Sequence, residues 1–270
     1  MSQYLFGFVG TGNMAGALVR AACQKVAPGE ILLSNRTPAK AEALAAELGC
    51  VVGTNEEAAR QSRYIFLGVK PQMMAGVLES LRPVLADRQD RFVLVSMAAG
   101  LTMETLAAMA GGTYPIIRIM PNTACAVGAG MTTYAANDLV TEEELSEFLT
   151  AMEKSGAWDR LDEHLINAAS AVAGCGGAFI WQVIEALADG GVACGLPRQK
   201  ALLYAAKMVE GTGKLTLETG LHPGVLKDQV CSPGGSTIAG VRVLEERGVR
   251  GAVMDAVIAA ERRNGELGKQ

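Results

Sequence analysis

The chain has 270 residues, of which 50% are hydrophobic and 19% charged, so it can bury a sizeable core and is too apolar to be disordered. The formal net charge is −4 and there is no long basic run, which argues against nucleic acid or an anionic membrane as a partner. The six cysteines are scattered without a Cys-x-x-Cys pair. This pattern is typical of reduced thiols in the cytoplasm, and it predicts neither a disulfide framework nor a metal site.

The chain starts with a short, uncharged apolar segment, which we interpret as a buried strand over residues 4–9 rather than as a signal peptide. A glycine turn and a helix over residues 16–25 follow. The turn reads G-x-G-x-x-A, the variant of the dinucleotide fingerprint that ends in a small residue. Because a strand precedes it and a helix follows, we predict a cofactor-binding turn that includes Gly10, Gly12, Asn13 and Met14.

The second predicted strand ends in Ser34-Asn35-Arg36-Thr37 and offers no acidic residue to hold ribose hydroxyls. This segment carries hydroxyl, amide and guanidinium groups instead, and Lys40 follows nearby in the sequence. Such donors suit the 2′-phosphate of NADP, so Ser34, Asn35 and Arg36 are predicted cofactor contacts. NADPH is therefore the expected cofactor, with NADH possible. In the alternative interpretation, Arg36 and Lys40 merely solvate the start of a helix.

Helices and strands continue to alternate up to about residue 161, which predicts a mostly parallel sheet covered on both faces. Ligands of such sheets bind beyond the carboxyl ends of the strands. Val69, Lys70 and Pro71 follow one strand and should therefore face the cofactor. Lys70 could be a catalytic acid or a solvated loop residue, although a cofactor contact is favoured. The small-residue loop 97–100, which contains Ala98, is a candidate wall for the nicotinamide.

After residue 161 the strand signals stop and helical patterns extend to the C-terminal region. The predicted fold class is an α/β Rossmann-type domain at 1–160 followed by an all-α domain at 161–270. The apolar stretch 165–196 is interpreted as helices buried within a protein or between subunits. Residues 173–177, Ala-Gly-Cys-Gly-Gly, interrupt the helical pattern. They indicate either a kink at a close helix crossing or a gap through which substrate or nicotinamide approaches the backbone.

A second interruption lies within residues 228–240, where Ser232-Pro233-Gly234-Gly235 cannot continue a helix. Ser236 and Thr237 stand where a new helix would begin. The unpaired N–H groups of such a start suit a carboxylate, although an ordinary helix–turn–helix corner has the same pattern. The two histidines, His164 and His222, lack the context of a catalytic triad or a metal site, and no P-loop is present. The combination suggests hydride transfer to a substrate that carries its own electrophile, such as a protonated imine.

Along nearly its whole length the chain resembles pyrroline-5-carboxylate reductases. The matching segments are specific in sequence and occur in the expected order; they are residues 8–15, 34–37, 68–71, 118–123, 185–189 and 229–240. The resemblance implies a Rossmann-type domain and a helical dimerisation domain, with dimers often assembled into a decamer. It also implies a site between the nucleotide domain of one subunit and helical elements of the dimer.

The resemblance further implies particular contacts. The substrate, 1-pyrroline-5-carboxylate, would be held through its carboxylate by the loop that comprises Ser232, Gly234, Gly235, Ser236 and Thr237. Thr237, the candidate catalytic residue, would lie near the ring nitrogen. The nicotinamide would be bordered by Met120, Pro121 and Asn122.

The chain departs from the family at Ala173–Phe179, which lacks two hydroxyls, a proline and a phenol that the family typically has there. The resemblance as a whole implies NAD(P)H-dependent reduction of 1-pyrroline-5-carboxylate to L-proline, the last step of proline biosynthesis, as the expected activity. Reduction of another cyclic imino acid and a non-catalytic NADP-binding sensor remain as alternatives.

Overall fold

A computed structural model describes residues 2–268. Its eight strands lie at or close to the positions predicted from the sequence. They are β1 (Tyr4–Val9), β2 (Ile31–Ser34), β3 (Val51–Val52), β4 (Ser62–Leu67), β5 (Val93–Ser96), β6 (Ile116–Met120), β7 (Gly130–Ala136) and β8 (Gly156–Arg160).

The strands form one sheet in the order β3-β2-β1-β4-β5-β6-β7-β8. Neighbouring strands from β3 to β6 pair in parallel, whereas β7 runs antiparallel to β6 and β8 pairs in parallel with β7. The prediction of a mostly parallel sheet is confirmed, and β8 lies at one edge of it. Because β1, β2, β4, β5 and β6 share one direction, the loops that follow them meet at a single edge of the sheet.

Seven helices accompany these strands. They are α1 (Asn13–Ala22), α2 (Pro38–Leu48), α3 (Asn55–Gln61), α4 (Pro71–Asp87), α5 (Met103–Ala110), α6 (Glu142–Met152) and the short α7 (Ile166–Ala169). Local chemistry fixes several ends. Thr54 and Thr141 begin α3 and α6 with capping boxes, and proline opens α2 and α4. The first helix starts at Asn13 rather than at the predicted Gly16, directly after the glycine turn.

Alternate residues of the central strands face opposite sides of the sheet, and both faces are buried. On one side, Phe6, Phe8, Tyr64 and Phe66 form an aromatic cluster with Phe148 of α6, in which the rings of Phe8 and Phe66 stack at 4.2 Å. On the other side, buried residues of β4 and β5 pack against α4 and α5. The strands are apolar throughout because neither face meets water.

The remaining helices are α8 (Gly176–Ala193), α9 (Arg198–Thr219), α10 (Pro223–Gln229), α11 (Ser236–Glu246) and α12 (Val249–Leu267). The chain divides into two compact units. One contains the described residues up to Cys175 and those from Ala260 onwards, and the other runs from Gly176 to Ala259. The predicted division near residue 160 differs from this one. The reason is that α7 contacts β7, and the side-chain amide of Asn264 donates a hydrogen bond to the carbonyl of Asn167 at 3.3 Å.

Among the described residues, one helical stretch, Glu163–Ala193, is long and apolar enough to cross a membrane by length and composition alone. Only 11% of its most apolar window is buried within the single chain. A soluble protein can meet the same criteria with a helix that it buries elsewhere, so this finding is weak evidence for a membrane. The predicted burial of this stretch inside the protein is not found in the single chain, which leaves burial between subunits as the expectation.

A buried arginine closes the amino-terminal edge of the sheet. Arg88 Nη1 donates to the carbonyls of Ala59 and Ser62 at 2.6 and 2.7 Å, and its Nε and Nη2 form a bidentate pair with Asp90 at 2.9 Å. The Arg88 side chain is 2% exposed. Hydrogen bonding to Arg88 lowers the pKa of Asp90 to about 2. The pair is therefore an ionic contact on which the local backbone depends.

Replacement of Asp90 by Asn should lower the free energy of unfolding by about 1–3 kcal/mol at neutral pH, since a buried guanidinium loses its counter-charge. A depressed folded-state pKa stabilises the fold above the unfolded value, so this contribution should be lost as the pH falls from about 4 to about 2. Denaturant titrations at fixed protein concentration would measure both effects. The control is Asp87→Asn, whose exposed pair with Arg60 should contribute less than about 1 kcal/mol. Equal losses in the two variants would contradict the prediction.

Candidate active site

The glycine turn between β1 and α1 brings two backbones into direct contact. Gly10 adopts a left-handed conformation with φ of +99°, and its N–H donates to the carbonyl of Ser34 at 2.9 Å. A side chain at Gly68, just after β4, would overlap the carbonyl oxygen of Gly10. Gly10 and Gly68 therefore have to be glycines for the carboxyl ends of β1 and β4 to meet as they do.

The start of α1 is open to a ligand. A Cβ built on Gly12 would meet nothing within 4 Å, and the first turn of α1 contains no acidic residue. Asn13 is exposed and Met14 half-buried. The unpaired N–H groups and the partial positive charge of this helix start suit a pyrophosphate, as the sequence predicts.

A cleft of about 410 Å³ runs from this turn across the ends of β2 and β4. Its described lining includes three cationic residues and no acidic one. The lining residues are Gly10, Gly12, Asn35, Arg36, Thr37, Lys40, Asn55, Gly68, Val69, Lys70, Met73 and Val77. Arg36, Lys40 and Lys70 are all exposed along the cleft. The residues present therefore fit an anionic dinucleotide, with Arg36 and Lys40 placed to meet a 2′-phosphate and Lys70 at the start of α4.

Two of the predicted phosphate contacts are engaged within the protein. The Ser34 hydroxyl is buried, 2.9 Å from the carbonyl of Phe8 and 2.8 Å from the side-chain oxygen of Asn55. The Asn35 side chain accepts a hydrogen bond from the N–H of Thr11 at 3.1 Å and donates one to the carbonyl of Thr37 at 3.0 Å. These contacts tie the glycine turn to the loop after β2, so both side chains shape the cleft. No pattern in the sequence indicates this role for Asn55.

The predicted nicotinamide wall lies at the ends of β5 and β6. Ala98 and Met120 are almost fully buried, Pro121 is buried and Asn122 is half-buried. Val69 and Pro71 are half-buried after β4, which stands next to β5. The parallel register thus brings together segments that are far apart in the sequence.

Asn122 connects this wall to the helical stretch that begins at Ile166. Residues Ser170–Gly174 form a π-helical turn between α7 and α8. The Asn122 amide donates to the carbonyl of Ala173 in this turn at 3.0 Å, while its own side-chain oxygen is buried without a protein partner. The interruption predicted at 173–177 is therefore a widened helical turn rather than a break. Such turns often mark functional sites because they release backbone groups from the helix ladder.

The buried side chain of Arg118 on β6 supports the predicted nicotinamide wall. The Arg118 side chain is 2% exposed; its Nη1 lies 3.3 Å from Glu163 and its Nη2 donates to the side-chain oxygen of Asn167 at 2.9 Å. Burial lowers the pKa of Arg118, and the Glu163 carboxylate opposes this shift. Glu163 also accepts a hydrogen bond from the N–H of Met103 at 2.7 Å, at the start of α5. One ion pair thus fixes β6, α5 and the segment before α7.

The predicted anion-binding turn lies in the second compact unit. Gly234 has a φ of +70°, and the N–H of Gly235 donates to the carbonyl of Ser232 at 3.0 Å, which closes a turn directly before α11. The helix begins at Ser236, where the sequence places it, and has neither a side-chain cap nor an acidic residue in its first turn. Ser232, Gly234, Ser236 and Thr237 are exposed. The turn therefore presents free N–H groups and three hydroxyls to a carboxylate.

The histidines do not contribute to either arrangement. His164 lies in a short 3₁₀ turn, and His222 Nδ1 accepts a hydrogen bond from the N–H of Gly224 at 3.0 Å at the start of α10. Within residues 2–268, no group of three or more His, Cys, Asp and Glu side chains could hold a metal ion.

Comparisons with known proteins agree with this geometry. Residues 5–100 match the family model described as NADP oxidoreductase, coenzyme F420-dependent, and residues 163–267 match the one described as pyrroline-5-carboxylate reductase dimerisation. The chain is 41% identical to the pyrroline-5-carboxylate reductase of Escherichia coli, over 97% of this chain and 98% of that protein. It is 42% identical to the Synechocystis enzyme of the same name, over 98% of each chain. A crystal structure of Plasmodium falciparum pyrroline carboxylate reductase with NADP bound matches with a TM-score of 0.89 and 28% identity, over 99% of both chains.

The α/β unit with its dinucleotide cleft and the helices that follow place the protein among the two-domain nicotinamide-dependent oxidoreductases. The fold class predicted from the sequence is confirmed. Because identity near 40% extends over almost the full length of both chains, the protein belongs to the pyrroline-5-carboxylate reductase family. The predicted family and enzyme class are confirmed as well.

Substitution of Gly68 by Ala should damage the nucleotide site, because the added methyl group overlaps the backbone of Gly10 and crowds Ala15. We expect a loss of about 2 kcal/mol or more in unfolding free energy and at least about tenfold weaker NADPH binding. Calorimetry and fluorescence titration would measure these two changes. Gly76→Ala on α4 is the matched control. The added Cβ has no other atom within 4 Å, and the substitution should stabilise the helix by up to about 1 kcal/mol. Unchanged NADPH affinity in Gly68→Ala would refute the structural requirement.

Proposed function

We propose that the protein reduces 1-pyrroline-5-carboxylate to L-proline with NADPH, the last step of proline biosynthesis. The observation that carries the proposal is full-length similarity to reductases of this name, which includes the turn before α11. That turn supplies what the substrate requires, an uncapped helix start beside hydroxyl groups. The direct test is the loss of NADPH absorbance on mixing with 1-pyrroline-5-carboxylate, with NADH in parallel. Tight NADPH binding without turnover of any cyclic imine would indicate a sensor instead.

The residues of the α/β unit hold the cofactor. Gly12 and Asn13 at the start of α1 face the pyrophosphate, Arg36 and Lys40 meet the 2′-phosphate, and Lys70 contacts the cofactor at the start of α4. When bound, the nicotinamide supplies a hydride to the imine carbon. The backbone of residues 120–122 and of the loop around Ala98 fixes the ring, and the Arg118–Glu163 pair keeps this wall rigid.

The turn before α11 holds the substrate. The N–H groups of Ser236 and Thr237, together with the Ser232 and Ser236 hydroxyls, bind the carboxylate at the positive end of the helix, and Gly234 and Gly235 shape the turn that presents them. Thr237 Oγ1 accepts a hydrogen bond from the protonated ring nitrogen and so orients the imine carbon for attack. Because protonation at nitrogen already makes the imine carbon electrophilic, positioning and charge stabilisation are the protein's main contributions.

The helical unit supports a homodimer. Its helices expose large apolar side chains that a single chain leaves in water, among them Trp181, Leu187, Leu203, Tyr204 and Met254. Exposed apolar area on this scale is typical of an obligate interface. The match of this region to a dimerisation family supports the same assignment. Assembly of dimers into a decamer and location in the cytoplasm complete the proposal, the latter supported by the free thiols of all six cysteines.

Replacement of Thr237 by Ala should lower kcat/KM for the imine by about 10²-fold, because the hydroxyl orients the reacting ring. NADPH affinity should not change, since the cofactor contacts lie in the other unit. Steady-state kinetics and an NADPH titration would separate the two effects. Thr212→Ala on α9 is the control, because the Thr212 hydroxyl bonds only carbonyls of its own helix. Equal rates in Thr237→Ala and the parent enzyme would exclude the catalytic role of Thr237.

Replacement of Arg36 by Ala should weaken NADPH binding by about 10–100-fold and leave NADH binding nearly unchanged, because only NADPH carries the 2′-phosphate. Titration of each cofactor would give the ratio. Arg60→Ala removes an exposed arginine paired with Asp87 and should alter neither affinity. If the two cofactors lost affinity equally in Arg36→Ala, Arg36 would not be a phosphate contact.

The altered stretch Ala173–Phe179 favours a second candidate, reduction of another cyclic imino acid. Without these hydroxyls and the phenol, residues 173–178, from the end of the π-helical turn to the start of α8, carry small side chains only. Rates on five-membered and six-membered cyclic imino acids distinguish the candidates. A clear preference for the five-membered ring supports the main proposal, and the opposite preference supports the second.

A further inference from the structure

Two cysteines that the sequence separates come together outside the candidate active site. Cys23 directly follows α1 and Cys50 directly precedes β3. Their Sγ atoms lie 3.5 Å apart, although 27 positions separate them in the chain. Neither lines the cleft or the turn before α11. Nothing in the proposed reaction uses this pair.

The surroundings of the two thiols differ from those of an inert core cysteine. Both side chains are half-buried and pack against the core cluster that contains the aromatic residues. The two thiols lie within hydrogen-bonding distance, and either can donate to the other sulfur. Such a contact lowers the pKa of the accepting thiol. By contrast, Cys125 is fully buried, and burial raises its pKa. Either cysteine of the pair can therefore act as the nucleophile, and the other is the nearby thiol that can resolve it.

We propose that Cys23 and Cys50 form a redox modification site, a dithiol that a hydroperoxide converts into an internal disulfide. The thiolate of one cysteine attacks the peroxide oxygen, which breaks the O–O bond and gives a sulfenic acid and one molecule of water or alcohol. The sulfur of the other cysteine then attacks the sulfenic sulfur, the S–S bond forms, and water leaves with the proton of the second thiol. The two thiols lose two electrons in total, and the peroxide accepts them.

The position of the pair defines the effect of the bridge. Helix α1 starts at the carboxyl edge of the sheet and runs back, so Cys23 lies at the amino edge. Cys50 also lies there, because it precedes β3, which runs parallel to β2. The cofactor cleft is at the opposite edge. A bridge would close the loop that contains β2 and α2. Arg36 and Lys40 belong to this loop, but they lie at the edge of the sheet opposite the bridge. The bridge should therefore stabilise the fold and leave NADPH binding intact.

The test treats the full-length protein with hydrogen peroxide, alkylates the remaining thiols and maps the peptides by mass spectrometry. We expect one dominant cross-linked peptide pair containing Cys23 and Cys50, which dithiothreitol reverses. The thermal midpoint should rise by roughly 4–10 °C on oxidation, and the NADPH dissociation constant should stay within about twofold. Cys23→Ser and Cys50→Ser should each abolish the cross-link and the thermal shift. Cys194→Ser, at an exposed cysteine, should retain both.

Two results would overturn the proposal. One is that Cys23 and Cys50 remain alkylatable in the native protein after oxidation, while other cysteines carry the oxidised forms. The other is a cross-link that appears only after unfolding in urea, since the native fold would then not hold the two thiols together. The wild-type peptide map decides between these outcomes even if a serine variant fails to fold.

Discussion

The nucleotide unit depends on the close approach of two backbones, at Gly10 after β1 and at Gly68 after β4. There is no room for a side chain between them, because a Cβ on Gly68 would overlap the Gly10 carbonyl oxygen. This contact sets the distance between the central strands at their carboxyl edge and determines where α1 begins. The open N-terminus of α1, the cleft and the neighbouring cationic loop all follow from it. Of the two fingerprint glycines, Gly10 is therefore required for the packing of the sheet, whereas Gly12 leaves the start of α1 open to a ligand.

Around this contact the polar side chains divide into two groups. Ser34, Asn35 and Asn55 are bonded to the protein and hold the loops in place, whereas Arg36 and Lys40 extend into the cleft. At the far side, buried Arg118 supports the wall through its contacts with Glu163 and Asn167. Rigid support of a few exposed contacts reduces the reorganisation that cofactor binding requires.

The helical unit buries few of its apolar residues within a single chain. Its helices are rich in alanine, leucine and valine, yet only a small cluster around Ala188, Ala201 and Ala205 is buried within one chain. A unit with so little core cannot account for its own stability. The proposed homodimer accounts for these exposed apolar faces, and their composition is the reason why the stretch Glu163–Ala193 satisfies the criteria for a membrane span. The π-helical turn at Ser170–Gly174 lies in the same stretch.

The sequence by itself determined the order of strands and helices, the dinucleotide turn and the start of α11 at Ser236. These features rest on local rules, namely hydrophobic period, glycine and proline chemistry, and helix capping. Only the tertiary structure decided which polar side chains reach the cleft, because Ser34 and Asn35 look the same in sequence whether they bind a phosphate or a neighbouring loop. It also decided that Cys23 and Cys50 meet, that the break at 173–177 is a widened helical turn, and that the segment after Ala260 packs with the first unit. Such contacts join residues far apart in the chain, and no local pattern encodes their distance.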